Sequence, residues 1–73
     1  MNEKQIEWTL KKCNELKDHM EGHWPLSEEQ WESVDKYITT VVSLAKGHEE
    51  EVRNALFDTI EPYQKRAEEI LSA

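Results

Sequence analysis

An all-α fold, a small three-helix bundle running up, down and up, is predicted by three observations. Two capping boxes mark helix starts at Asn2 and Ser27. Gly22, Pro25 and Gly47 break the chain between apolar segments, and within those segments apolar residues recur near the 3.6-residue helical period. With 73 residues, 37% hydrophobic and 34% charged, the chain has room for one core, so a single helical domain covering residues 1–73 is expected.

The first helix is expected from about residue 3 to 21. Asn2 and Gln5 have the spacing at which each side chain satisfies the other's free backbone N–H, with Met1 and Ile6 as a hydrophobic staple. At about 100° per residue, Ile6, Leu10, Cys13, Leu16 and Met20 share one stripe, and Trp8 points roughly 140° from its centre, into solvent. Cys13 is accordingly expected to be a buried, unreactive thiol.

The second helix is expected over 28 to 46. Ser27 caps, Gln30 reaches back and Leu26 packs on Trp31, while Pro25 keeps the preceding chain extended. Trp31, Val34, Tyr37, Ile38, Val41, Val42, Leu44 and Ala45 cover about 160° of arc, which makes this the expected central helix. The β-branched run Ile38-Thr39-Thr40-Val41-Val42 favours a strand, but the helical period holds on both sides of it.

The third helix follows Gly47 and is expected over 49 to 72, burying Val52, Leu56, Ile60, Tyr63, Ala67, Ile70 and Leu71, with Phe57 at the margin. Pro62 has no backbone N–H to give the Asp58 carbonyl, so the helix is expected to kink or break near it, or to restart there as a short fourth helix. Short connections make neighbouring helices antiparallel.

Sixteen acidic against nine basic residues give a net charge of −7, which disfavours direct binding to nucleic acid or to an anionic membrane. The longest apolar stretch, near Val41 to Ala45, falls far short of the roughly 20 residues a bilayer needs. The N-terminus shows no basic segment leading into an apolar one, and a lone cysteine suits a reducing compartment, so a cytoplasmic location is expected.

Cys13, His19, His23 and His48 carry zinc-ligand chemistry, and a small metal-binding protein is one alternative. Their placement argues otherwise. Gly22 is expected to end the first helix between His19 and His23, and the second helix separates His23 from His48 by about 28 Å. No metal or other cofactor is assigned. No nucleophile elbow, phosphate-binding glycine loop or placed Cys–His pair is found, so no enzymatic activity and no catalytic residue are expected. Acidity, helicity and length invite comparison with acyl carrier proteins, but no serine here follows an aspartate, and the attachment motif is absent.

A binding surface remains, defined by charge and by aromatic residues. Residues 1–24 carry −1, residues 25–46 carry −2 and residues 47–73 carry −4. The densest run, Glu49-Glu50-Glu51, reads either as compensation of a helix dipole or as an acidic patch that meets a basic groove on another protein. Trp31 is accounted for by the core, whereas Trp8 and Trp24 are less constrained and tryptophan is over-represented among residues that dominate interface energetics. Trp8, Trp24, Glu49, Glu50, Glu51, Phe57 and Asp58 are the candidate partner-binding residues.

The function expected is protein binding by a non-enzymatic inhibitor or adaptor, of the kind phages and mobile elements direct against host defences. It would act by occupying a basic nucleic-acid-binding surface with carboxylates in place of phosphates; the class is drawn by analogy. The alternative is a structural homodimer with Trp8 and the Phe57 flank in its seam and acidity serving solubility.

Overall fold

The computed structural model describes residues 1–72, folded as three helices: α1 (Glu3–Gly22), α2 (Glu28–Leu44) and α3 (Glu49–Ser72). No strand occurs among the described residues. The body is elongated, 43 × 20 × 18 Å.

Both capping boxes form. The Asn2 side chain accepts the Gln5 N–H at 2.9 Å while Gln5 Oε1 accepts the Asn2 N–H at 2.8 Å, and Ser27 and Gln30 repeat the exchange at 3.3 and 2.8 Å. These pairings lie within three residues of each other, which is why they are readable locally. The β-branched run is helical, and the Thr39 hydroxyl donates back to the Asp35 carbonyl at 3.0 Å.

Contacts along the helices fix the topology. Gln5 meets His48 at one end and Glu21 meets Tyr63 further along, so α1 and α3 run parallel. Trp8 and Leu44 line one groove, and Tyr37 reaches back to Lys12, so α2 runs antiparallel to α1. This is the expected up-down-up order.

The core joins Leu16 and Met20 of α1, Val34, Ile38, Val41 and Val42 of α2 with Ala45 beyond its end, and Val52, Leu56, Ile60 and Tyr63 of α3. The central helix differs from the expected one: α3 packs along both α1 and α2, while α1 and α2 approach each other less closely. Tyr37 ties those two together, its hydroxyl 3.1 Å from the Lys12 carbonyl oxygen and 3.4 Å from Glu15 Oε2.

Four expectations are corrected. On α1 the buried face is Thr9, Leu16 and Met20; Ile6 and Leu10 are exposed, Cys13 is only half-buried, and Trp8 is half-buried against the core. Thr9 can be buried because its hydroxyl donates to the Gln5 carbonyl at 2.7 Å, which leaves no unsatisfied polar atom. Second, α2 stops at Leu44, two residues early, because the chain turns through Ala45 to His48 with Gly47 at φ +92°, a value only glycine adopts readily. Leu44, expected in the α2 stripe, is exposed, because it points about 100° from the centre of the face formed by Val34, Ile38, Val41 and Val42. Third, of the alternatives expected at Pro62, the break and the fourth helix do not form: α3 is one helix from Glu49 to Ser72. Fourth, Ile70 and Leu71 lie outside the core because α3, the longest helix, extends beyond its neighbours.

Candidate functional site

The α2–α3 turn separates the three glutamates. The Glu49 carboxylate folds back to accept the Gly47 N–H, and backbone hydrogen bonds, its own first and that from Gly47 next, hold it below the usual carboxylate range. Glu49 therefore serves the start of α3, where negative charge faces the positive end of the helix dipole. At about 100° per residue Glu49 falls on the side of α3 that carries Val52 and Leu56, so it does not join the outward face that Glu50 and Glu51 share. Glu50 and Glu51 are exposed.

A larger acidic feature takes the run's place. On the helical wheel, Glu50, Glu51, Asp58, Glu61, Glu68 and Glu69 fall on the side of α3 opposite Val52, Leu56, Ile60 and Tyr63. All six are exposed. They span about 27 Å along the axis from Glu50 to Glu68. Lys65 is the one basic residue on that face, and it pairs with Glu61 at 3.4 Å. Phe57, 45% exposed, stands at the edge of this face and lines the α2–α3 groove with Asp35, Thr39 and Arg53. Asp58 stands at the opposite edge, on the α1–α3 groove that also holds Cys13.

The candidate tryptophans occupy opposite ends of the bundle. Trp8 meets the His48 ring edge-on at 6.5 Å, and the Lys12 ammonium lies 5.7 Å from its ring centre. Trp24 packs on Tyr63 at 5.6 Å, with the Arg66 guanidinium 5.1 Å from each ring. Trp8 and Phe57 line different grooves, on opposite sides of α2.

As expected, α1 ends at Gly22, between the two histidines; His23 caps it, and the turn still brings the His19 and His23 rings to 4.5 Å. Cys13 lies in the α1–α3 groove, and His48 sits at the other end of the molecule beside Gln5. Among the described residues no three His, Cys, Asp or Glu side chains are grouped to hold a metal. No helix among them is long and apolar enough to cross a membrane.

Two phenols, Tyr63 buried and Tyr37 half-buried, complete the electrostatic picture. Burial first, then the Glu15 carboxylate, pushes Tyr37 up to about 12. Burial and the hydrogen bond to Glu21 do the same to Tyr63, also to about 12. Both stay protonated near neutrality and act as donors that hold helices together.

Sequence reasoning missed the apolar groove where α3 overhangs the α1–α2 turn, with Leu71 87% and Ile70 56% exposed beside Trp24 and Trp31. The available signal was length: an α3 longer than α2 must carry part of its apolar stripe beyond its partner. Comparison with known protein families, curated proteins and solved structures finds no match to this chain.

Proposed function

We propose that this is a non-enzymatic binding protein whose acidic α3 face docks on a basic surface of another protein, in the manner of an inhibitor or adaptor such as phages and mobile elements direct against host defences. The observation that carries this reading is the outward face of α3, where Glu50, Glu51, Asp58, Glu61, Glu68 and Glu69 are countered by Lys65 alone. Carboxylates spaced in pairs along one side of a helix resemble a series of backbone phosphates in charge, so a nucleic-acid-binding channel is the fitting target. Long-range attraction to such a channel speeds encounter, and Phe57 at the edge supplies an apolar contact once the surfaces meet. The setting is cytoplasmic, and no cofactor takes part.

The test is affinity capture from the source cells with the wild-type chain and with a Glu50→Lys/Glu51→Lys/Asp58→Lys variant of equal helicity. The expected partner is retained by the wild type, lost by the variant, displaced by nucleic acid and released between about 50 and 500 mM salt. Equal retention by both proteins, or retention indifferent to salt, overturns the proposal.

A further inference from the structure

Beside the acidic face, at the end where α1 turns into α2, Trp24, Leu26, Trp31, Ala67, Ile70 and Leu71 line a groove of about 370 Å³. We infer that this groove seats the apolar side of a partner-protein helix whose flanks carry lysine or arginine, an inference that rests on the proposed protein-binding function and locates its anchor.

Three observations identify the occupant. Ile70 and Leu71 stand exposed next to two half-buried tryptophans, which is the composition of an interface anchor rather than of an ordinary charged surface. The groove is also preformed. Trp24 is pinned by Tyr63 and Arg66, and Trp31 sits in the first turn of a helix whose start is fixed by the Ser27–Gln30 box, so little ordering is needed when a partner arrives. Finally, the rim is acidic. Glu28 lies in the lining, Glu29 follows it, and Glu68, three residues before Leu71, flanks the groove on the Leu71 side of α3. The nearby cation, Arg66, lies over the Trp24 and Tyr63 rings. A second copy of this chain would bring the same acidic rim against itself, whereas a basic-flanked helix neutralises it. An amphipathic helix laid in a hydrophobic groove is an established mode of recognition, read through anchors at i, i+3, i+4 and i+7.

The inference is tested with two synthetic helical peptides that share leucines at that spacing and differ only in flanks of lysine or glutamate. They are titrated into the full chain carrying Trp8→Phe, so that emission reports Trp24 and Trp31. The lysine peptide is expected to shift the emission with micromolar affinity, to weaken at least about tenfold from 50 to 500 mM salt, and to weaken by a similar factor in Leu71→Glu or Ile70→Glu. Both substitutions are at exposed positions and leave the helical signal unchanged. Equal binding of the glutamate peptide overturns the inference. So does an unaltered affinity in both variants, or a wild-type dimer in sedimentation that Leu71→Glu dissociates. If Leu71→Glu still captures the cellular partner that the Glu50/Glu51/Asp58 variant loses, the groove assignment fails and the acidic-face proposal stands.

Discussion

The Tyr63 phenol donates a 2.6 Å hydrogen bond to Glu21 Oε1, joining the last turn of α1 to the middle of α3. This side-chain bond spans 42 residues of sequence, and the Tyr63 ring is 3% exposed, so its loss is not easily replaced by water. Tyr63→Phe is expected to cost about 1–2 kcal/mol in urea unfolding. Glu21→Gln should cost less, because the amide oxygen still accepts, and the double variant should cost less than the sum of the two.

The raised phenols are expected to add to stability up to alkaline pH. Tyr37 and Tyr63 both rise from 10.0 to about 12, so the folded state holds these protons more tightly than the unfolded one. Their contribution is complete below pH 10 and is lost as pH climbs towards 12. Tyrosinate absorbance should therefore rise late and together with loss of helical circular dichroism, and in Tyr63→Phe the alkaline midpoint should move less than the neutral-pH stability loss implies. Glu49 acts in the opposite sense. Its depressed carboxyl contributes above its ordinary value and loses that contribution as pH falls through the lower folded-state value, so Glu49→Gln should flatten the acid limb.

Leu56 and Leu10 separate the buried face from the apolar stripe. Leu56 is 0% exposed and Leu10 58%. Leu56→Ala should cost about 2–5 kcal/mol, a large part of what so small a domain has, while Leu10→Ala should stay within about 0.5 kcal/mol. Thermal unfolding of the two variants checks this directly; equal losses would place Leu10 in the core.

The contrast shows what the sequence made legible. Cap residues act within one turn, so the starts of α1 and α2 are readable from Asn2, Gln5, Ser27 and Gln30. On α3, Val52, Leu56, Ile60 and Tyr63 follow one period and are buried together. Hydropathy fails on α1 for a specific reason. It scores Thr9 as polar although its hydroxyl is satisfied by its own helix, and it scores Ile6 and Leu10 as core although the burying face turns toward Thr9, Leu16 and Met20. Trp8 reaches the core from the flank because its side chain is long. In the candidate site, the acidity of the final third was legible as composition. Which carboxylates share a face follows from the helical period; that the face is left uncovered required the position of α3 against its partners.

The two glycines should respond in opposite directions. Gly22 is helical with open space around it, so Gly22→Ala should stabilise by about 0.5–1 kcal/mol. Gly47 has equal space but φ +92°, so Gly47→Ala should destabilise by about 1–2 kcal/mol. Denaturant midpoints that move in opposite directions with unchanged slopes confirm both.

Pro62 leaves the Asp58 carbonyl without a helical donor, yet α3 continues through it. Pro62→Ala restores the missing bond on an exposed side and should raise stability by about 1–3 kcal/mol, measured by calorimetry. A neutral or negative effect would show that the helix is shaped around the proline.

Because both other helices lean on α3, they are not equivalent in how the native state opens. Peeling α1 away leaves the α2–α3 pair intact, and releasing α2 leaves the α1–α3 pair, but no partial structure survives the departure of α3. The amides around Leu56 and Ile60 therefore exchange with solvent only when the whole molecule unfolds, whereas those of α1 and α2 have local routes. The acidic face thus rides on the last helix to let go. From Glu50 to Glu61, where α3 is packed on its partners, it is expected to keep its carboxylate spacing through excursions short of complete unfolding.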